Sequence, residues 1–291
     1  MTDYFSQRRL LVDERLQAIA TAASLPQPLV EPVRVALRSP GKRVRAILTL
    51  AAGEAFGSAA EPLLDAACGF EMIHTSSLIF DDLPAMDDAE LRRGEPALHR
   101  RFGEDLAILT AVALLNHGYG RIVASHKRMK PRRWSLDAVL EKVVDAVGWD
   151  GSVGGQAVDL HSGAATLDFP TLEYIHSRKT GALFVAAAAV GAMLGNAAEP
   201  AERSIEAYAK NLGLAFQITD DILDVTATRE QLGKDVGKDE ERLTFVKLVG
   251  LEGARELNGE LIDTSLTAIA GLGAPARPLR ELAEMLRNRT R

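Results

Sequence analysis

Apolar residues recur along most of the chain at the three- and four-residue steps that bring side chains onto one face of a helix. Valine and isoleucine rarely alternate with polar residues, so few segments show the period of two that half-buried strands require. The pattern therefore predicts an all-helical protein. The predicted helices span residues 3–22, 28–38, 42–56, 61–83, 104–128, 135–148, 152–162, 170–195, 201–226, 241–256 and 277–289.

The loops between these helices are short and carry most of the glycine and proline. Asp168 precedes Phe169-Pro170 as a helix start, and the longest irregular loop is predicted at 233–240. The alanine-rich stretch 182–192 has small side chains on every face, which suits a helix enclosed by other helices. Because the sequence shows no linker, repeat or low-complexity tract, we expect residues 1–291 to form a single all-α domain, one large helical bundle.

Composition narrows the possible classes of function. A chain of 291 residues can bury a large core, and 47% hydrophobic with 25% charged residues is ordinary for a globular protein. Disordered and collagen-like chains are therefore excluded. Forty acidic against thirty-four basic residues give a net charge of −6, so binding along a nucleic-acid backbone is not expected.

Two features predict a cytoplasmic location. The single cysteine, Cys68, cannot form an internal disulfide, and charged residues occupy the N-terminal stretch where a signal peptide needs an apolar run. The longest nearly uncharged apolar run, 182–196, is shorter than the roughly 20 residues that cross a bilayer. No membrane span is expected.

The first candidate site is an acidic cluster at the end of an apolar helix. It contains Asp81, Asp82, Asp87 and Asp88. The helix dipole is negative at this end and repels carboxylates, so a bound cation would stabilise the cluster. The alternative is a solvated helix end that stops at Pro84.

A second acidic cluster lies on one face of a later helix. Its members recur at three- and four-residue steps, and they are Gln217, Asp220, Asp221 and Asp224. No cation stands within a turn to support them, whereas an ordinary solvent face usually mixes charges of both signs. An exposed surface stripe remains the alternative.

Two such clusters that face each other across a cavity in a bundle would bind hard cations. Mg²⁺ keeps waters and prefers a few carboxylates together with phosphate oxygens, so the implied ligand is a phosphate ester. Basic residues that would meet a diphosphate occur near helix starts and in loops, and they are Lys42, Arg45, Arg92, Arg93, Lys179, Lys234 and Lys238. Each small group of these basic residues alone is typical of a solvated surface. Their occurrence together with both acidic clusters favours diphosphate binding.

Five motifs in the same order resemble the trans-isoprenyl diphosphate synthases and cover most of the chain. They are GKRVR (41–45), FDDLPAMDDAELRRGEPALHRRFGE (80–104), GGQAVDL (154–160), RKTGALF (178–184) and FQITDDILD (216–224). The segment EMIHTSSLIFDDLPAMDDAELRRG is most similar to bacterial geranylgeranyl diphosphate synthases of carotenoid pathways. The resemblance implies an isoprenoid-synthase bundle around a central cavity, a homodimer, and head-to-tail condensation of isopentenyl diphosphate with C5, C10 or C15 allylic diphosphates.

The resemblance also implies roles for individual residues. Three Mg²⁺ per site, replaceable by Mn²⁺, would be held by Asp81, Asp87 and Asp220, with Asp82, Asp221 and Asp224 close by. The allylic diphosphate would be neutralised by Arg92, Lys179 and Lys234. Isopentenyl diphosphate would be bound by Lys42, Arg45, His74 and Arg93, and the reacting carbons would be lined by Thr180 and Gln217. No protein nucleophile is required.

The chain departs from the family pattern at three positions. Phe80 replaces a frequent histidine before the first aspartate pair, and Ala46 replaces a usual proline. Arg242 stands where a lysine is common, and arginine and lysine are not interchangeable at a phosphate contact.

The small side chains upstream of Asp81 predict the product length. Ser76 and Ser77 lie about one turn, roughly 5–7 Å, deeper along the same helix, and they leave the pocket open. Met72, with Ile73, would form its floor. We therefore expect a C20 product.

Four other interpretations of the sequence remain. A farnesyl diphosphate synthase would share the same motifs, and a terpene cyclase would share one aspartate cluster. A non-catalytic partner subunit would tend to lose one of the two clusters, and this chain keeps both. A di-iron bundle would use Glu71-x-x-His74 and Glu173-x-x-His176, with further glutamates drawn from Glu31, Glu54 and Glu206.

Overall fold

The computed structural model describes residues 3–22, 24–162, 168–226 and 244–289, and within them it confirms the all-α class. The helices are α1 (Asp3–Ala22), α2 (Gln27–Arg38), α3 (Val44–Glu54), α4 (Ala60–Asp81), α5 (Leu98–Phe102), α6 (Glu104–Met129), α7 (Leu136–Val147), α8 (Ser152–His161), α9 (Phe169–Ile175), α10 (Ala182–Leu194), α11 (Glu199–Thr226), α12 (Phe245–Ala268) and α13 (Arg277–Arg287). A π-helical segment, His176–Gly181, joins α9 to α10.

Helices α4 and α6 run antiparallel through the core. Ser76, near the end of α4, donates a hydrogen bond to the carbonyl of Ala111 near the start of α6. At the other end, Ser125 donates to the carbonyl of Pro62. The pairing carries the C-terminal end of α4, with Asp81, to the same end of the bundle as the start of α6.

Helix α10 is enclosed by its neighbours, as its alanine-rich sequence predicts. Every residue from Ala186 to Leu194 is buried, and α10 packs between α3, α7 and α11. Gly191 allows the closest approach, since an ideal Cβ there would lie 2.3 Å from the carbonyl oxygen of Thr49 on α3. This packing fixes α3, which begins directly after Lys42 and Arg43, against α10.

Four features differ from the predicted ones. A two-stranded antiparallel hairpin, β1 (Leu91–Arg92) and β2 (Glu95–Pro96), was not predicted, and neither was α5. The predicted helix 170–195 is divided by the π-helical segment. Helix α12 extends twelve residues beyond the predicted end at 256 and is kinked at Gly250 (φ 76°), whereas the predicted start at 241 and the loop 233–240 lie outside the described residues.

One described helix, α6, is long and apolar enough to meet the length and composition criteria for a membrane span, with a mean hydropathy of 1.3. The sequence analysis considered only the apolar run 182–196 when it predicted no membrane span, and it did not single out α6. One such helix is weak evidence of membrane insertion, because core helices of water-soluble proteins meet the same criteria.

Candidate active site

The chain folds back after α4 and brings the first acidic cluster together. The backbone N–H of Asp87 donates to the carbonyl of Asp81 at 2.9 Å, so the second half of the cluster returns to the first. Burial, together with the neighbouring charge of Asp87, raises the pKa of Asp81, while Lys179 opposes this shift. A cation bound beside Asp81 and Asp87 would offset this rise in pKa and stabilise the charged carboxylates.

Asp82 plays a different part from Asp81. It is buried and accepts hydrogen bonds from Arg92, with Nε 2.8 Å from Oδ1 and 3.1 Å from Oδ2. Its carboxylate therefore holds the arginine in place. The role of Asp82 beside a metal ion stays a prediction, and the structure shows its carboxylate engaged with Arg92.

The hairpin places two consecutive arginines, Arg92 and Arg93, near the first acidic cluster. Arg93 and Gly94 form its two-residue turn, and both have positive φ, 56° and 82°. Positive φ at both central positions is the geometry of a type I′ turn, whose twist matches that of paired strands. Arg92 can then reach Asp82 while Arg93 reaches Gly41, where an ideal Cβ would lie 2.9 Å from the Arg93 guanidinium.

Arg45 and Arg93 form the centre of a basic group. Burial and the charge of Arg93 lower the pKa of Arg45 to about 10, and burial together with Arg43 lowers that of Arg93. The Arg45 guanidinium stacks 4.8 Å above the Phe184 ring, and its buried Nε makes no hydrogen bond to any described residue. Two neighbouring arginines that disfavour each other's positive charge form a site that an anion would stabilise.

His74 lies beside this basic group. Burial and the charges of four arginines hold the pKa of its imidazole well below 6.5, and those arginines are Arg45, Arg93, Arg92 and Arg43. The histidine is therefore neutral near pH 7. A neutral imidazole keeps one nitrogen as an acceptor and one as a donor, so it can orient a ligand without adding charge.

A buried ion pair between Arg43 and Glu71 lies next to the basic group. Arg43 donates from Nε to Asp13 at 2.7 Å and lies 3.6 Å from Glu71. Glu71 in turn accepts the backbone N–H of Ala46 at 3.2 Å. This pair, which the sequence analysis missed, fixes the start of α3 on α1 and α4, and Arg43 occupies a left-handed backbone conformation there.

The second acidic cluster lies on the last turns of α11. Asp221 is buried and accepts the backbone N–H of Phe245, so it anchors the start of α12. Asp220 forms an ion pair with Arg289 at 2.8 Å, and Asp224 is exposed. As in the first cluster, the second aspartate of the pair is engaged with protein while the flanking ones reach the surface.

The π-helical segment contributes Lys179 and Thr180. Lys179 donates to Asp159 of α8 at 2.7 Å, and it is near enough to Asp81 to lower the pKa of that carboxyl. Gly155 lets α8 approach, since an ideal Cβ there would lie 2.3 Å from the backbone nitrogen of Lys179. Thr180 is half-buried on the same turn.

Gln217 on α11 contacts His176 of the π-helical segment. His176 Nδ1 lies 3.2 Å from Gln217 Oε1, and burial lowers the pKa of that histidine. The contact ties α11 to the π-helical segment. Asp159, the partner of Lys179, could have been found from the sequence because it is the charged residue of the GGQAVDL motif.

Each acidic cluster interacts with one residue of the basic group. Arg45 interacts electrostatically with Asp220 of the second cluster, and its neighbour Arg93 interacts with Asp82 of the first. Lys42 is exposed at a cavity of about 830 Å³ beside Phe216. Lys234, Lys238 and Arg242 lie outside the described residues.

The donor chemistry fits magnesium. In the described part of the chain, no three His, Cys, Asp or Glu side chains converge closely enough to hold a metal ion by themselves. Exposed or half-buried carboxylates occur in both clusters, at Asp81, Asp87, Asp220 and Asp224. Such a set suits a hard cation that completes its coordination with water and phosphate oxygens.

The same contacts exclude the di-iron arrangement for the described residues. Glu71 pairs with Arg43, and His176 contacts Gln217. The further candidates are also engaged elsewhere, Glu31 with Arg34, Glu54 with Arg8 and Glu206 with Lys142. These side chains do not meet at a common point.

The residues assigned to product length occupy two different faces of α4. Ser77 precedes Asp81 by four residues and shares its face, and its hydroxyl donates to the carbonyl of His74. Ser76 points instead to α6, where it donates to Ala111 at 2.8 Å. Met72 is buried in the core one turn deeper.

Comparisons with known proteins agree with these findings. A family model described as polyprenyl synthetase matches residues 26–268. A protein named dimethylallyltranstransferase from Fischerella ambigua is 41% identical over 100% of this chain and 84% of its own length. Geranylgeranyl pyrophosphate synthase 11, chloroplastic, of Arabidopsis thaliana is 41% identical over 94% of this chain and 79% of its own length. The solved structure of an FPP/GFPP synthase from Zymomonas mobilis is similar with a TM-score of 0.84, at 32% identity and 97% coverage of both chains.

Proposed function

The chain belongs to the polyprenyl synthetase family and is a trans-prenyltransferase; we propose that it makes geranylgeranyl diphosphate. The carbon–oxygen bond of an allylic diphosphate breaks to leave an allylic cation, and isopentenyl diphosphate attacks this cation head-to-tail to form the new carbon–carbon bond. The leaving diphosphate accepts the final proton. A relative at 41% identity carries the name of the C20 product.

The basic group around Arg45 is the observation that supports this proposal most strongly. Half-buried Arg45 and its neighbour Arg93 both have lowered pKa values, and each interacts with one acidic cluster. Keeping two such cations together is costly without an anion. A diphosphate between the clusters would supply that anion and accept the open donor at Arg45 Nε.

Each group of residues has a distinct task in the proposed reaction. Arg92, fixed by Asp82, and Lys179, fixed by Asp159, bind the allylic diphosphate. Lys42, Arg45, Arg93 and His74 bind isopentenyl diphosphate, while Thr180 and Gln217 orient the reacting carbons. Lys234 belongs with the allylic contacts by its motif position.

Metal ions complete the charge balance at the clusters. Magnesium, when bound, would supply positive charge to the leaving diphosphate. We assign Asp81, Asp87, Asp220 and Asp224 as its protein ligands, because Asp82 and Asp221 are engaged with Arg92 and Phe245. Three ions per site is the number we propose from the family resemblance.

We further propose a cytoplasmic homodimer. The single cysteine, Cys68, is a buried free thiol. An exposed apolar strip on α6, formed by Ile108, Leu109 and Val112, offers a surface for a second copy of the chain. The single domain over 1–291 also remains a proposal.

A product assay tests the proposed function. Purified protein is incubated with Mg²⁺, isopentenyl diphosphate and each allylic primer, and the products are dephosphorylated and sized. We expect a C20 alcohol from every primer. A C15 end product would indicate a farnesyl diphosphate synthase, and cyclic hydrocarbons without chain extension would indicate a cyclase.

Matched variants test the site assignment. Asp81→Asn and Asp220→Asn should each lower kcat on the order of 10²–10³-fold, since each removes a group that acts on the leaving diphosphate. Asp88→Asn is the control, because Asp88 belongs to the same segment but is exposed and pairs with Arg100 at 2.7 Å. Equal activities in all three variants would contradict the assignment.

A further inference from the structure

A cation from the far end of the described chain lies at the second acidic cluster. Arg289, two residues after α13, places its NH2 group 2.8 Å from Asp220 Oδ1. The guanidinium also stacks 5.0 Å above the ring of Phe216, one turn earlier on α11. Asp220 is thus already neutralised by a protein cation at the position where we assign a metal ligand.

Helix α13 delivers this arginine from a packed base. Leu279, Ala283 and Leu286 of α13 are buried, and the hydroxyl of Tyr208 on α11 donates to the carbonyl of Leu279 at 2.7 Å. The helix is therefore fixed on α11, and only the short stretch beyond it must move for Arg289 to leave. The Asp220 side chain is 39% exposed, so water or an ion can reach it.

Space for such a movement lies next to the ion pair. Arg289 lines the cavity of about 830 Å³ together with Lys42, Phe216 and Met285. The guanidinium can leave the carboxylate without leaving the aromatic ring. An ion pair at a half-exposed carboxylate is weak enough to be exchanged.

We propose that Arg289 is a positioning residue that serves as an exchangeable counter-ion of Asp220: it pairs with the carboxylate in the metal-free protein and is displaced when a divalent cation binds there. The inference rests on the proposed function, because it takes Asp220 as a metal ligand. Because Arg289 and the metal ion compete for one carboxylate, the binding of either one lowers the affinity of Asp220 for the other. Removing either one strengthens the binding of the other by the same factor.

The exchange would set the order of events at the site. Before metal arrives, the pairing avoids repulsion between Asp220 and its neighbours Asp221 and Asp224 on the same turns. After metal arrives, the released guanidinium adds a positive charge beside Lys42. The C-terminal segment would therefore respond to metal loading of the second cluster.

Metal binding without substrate tests the proposal directly. Mn²⁺ is titrated into the full chain, and free Mn²⁺ is measured by electron paramagnetic resonance. Arg289→Gln should bind Mn²⁺ on the order of fivefold more tightly than the unaltered protein, and Arg289→Lys should lie between them. The matched control is Arg287→Gln on the last turn of α13, whose guanidinium pairs with Asp263 at 2.5 Å, and it should leave the affinity unchanged.

A second readout follows the segment itself. Amide hydrogen exchange at residues 285–289 should rise several-fold when Mn²⁺ is added to the unaltered protein. It should not change in Asp220→Asn, which cannot make the exchange. An arginine with a purely structural role would give no response to metal in either protein.

The outcomes separate this proposal from the proposed function. Unchanged or weaker Mn²⁺ binding by Arg289→Gln, while Asp220→Asn weakens binding, would overturn the counter-ion role and leave the metal site intact. Absence of Mn²⁺ binding to the unaltered protein would also overturn it. The proposed function fails by a different result, the absence of prenyl diphosphate products in the sizing assay.

Discussion

His74 lies close to four arginines, and this environment makes the stability of the folded protein depend on pH. Its pKa in the folded protein is well below 6.5, because burial and the neighbouring charges disfavour the imidazolium. The unfolded chain therefore binds a proton at this histidine in a pH range where the folded protein does not. The stabilisation is complete above about pH 6.5 and is lost as the pH falls toward the folded pKa.

We predict that replacing His74 flattens the acid side of the stability curve. Below about pH 6.5, His74 should make the free energy of unfolding fall by up to about 1.4 kcal/mol per pH unit, and His74→Asn should remove that contribution. Urea unfolding at pH 7.5, 6.5 and 5.5 measures the slope. His117→Gln, on the exposed face of α6, is the matched control. Equal slopes in the His74 variant and the unaltered protein would contradict the assigned environment.

Ser77 and Ser76 make separable predictions about product length. Ser77 shares the face of Asp81, so Ser77→Tyr should narrow the hydrocarbon pocket and shift the product from C20 toward C15. Ser76 points to α6 instead, so Ser76→Tyr removes the bond to Ala111 between α4 and α6 and should lower Tm. Chromatography of the dephosphorylated products gives the length, and Ser77→Ala should retain C20. Unchanged C20 in Ser77→Tyr would refute the proposed pocket.

At the scale of elements, helical periodicity predicted most of the architecture because it reports a property that each helix carries in its own residues. The hairpin was missed for a physical reason. Its turn uses Arg93 at positive φ, a conformation that usually calls for Asn, Asp or Gly, so the sequence shows no turn signal at that position. The π-helical segment was missed because its sequence is as compatible with an α-helix as with the wider turn that packs on Gly155.

Close helix packing gives a prediction for the α3–α10 pair. Gly191→Ala places a methyl group against the carbonyl of Thr49, so it should destabilise the protein by about 1–3 kcal/mol through overpacking. Gly259→Ala in α12 meets no atom within 4 Å and should stabilise it by about 0.5–1 kcal/mol, because alanine favours the helix. Chemical denaturation measures both. Shifts of the same sign would show that the backbones of α3 and α10 are not in close contact.

At the scale of the whole molecule, the sequence predicted which residues belong to the site but not how they are engaged. Helical spacing groups the aspartates of α11, since that information is local. It does not show that Asp221 caps α12, that Asp82 fixes Arg92, or that Arg289 reaches Asp220. Those contacts join segments distant in sequence, and no local pattern encodes them.

The exposed face of α6 supports the last prediction, which concerns assembly. About a third of the most apolar window of this helix is buried, and Ile108, Leu109 and Val112 are 40–53% exposed. The opposite face packs closely on α4, where ideal Cβ atoms at Gly69 and Gly118 would each lie within 2.8 Å of the other's carbonyl. Because α6 is fixed in the bundle by this contact, its apolar strip would be covered by another protein surface rather than by lipid around a free helix.

A second copy is the partner we expect, since a two-fold axis would pair the strip with itself. Light scattering should give twice the 31.3 kDa chain mass for the unaltered protein. Val112→Glu should bring a charge onto both sides of the contact and shift the protein toward the monomer, with Leu109→Glu acting alike. Val249→Glu, at a comparably exposed apolar residue on α12, should remain dimeric. A monomeric unaltered protein, or dimers in all variants, would place the interface elsewhere or exclude it.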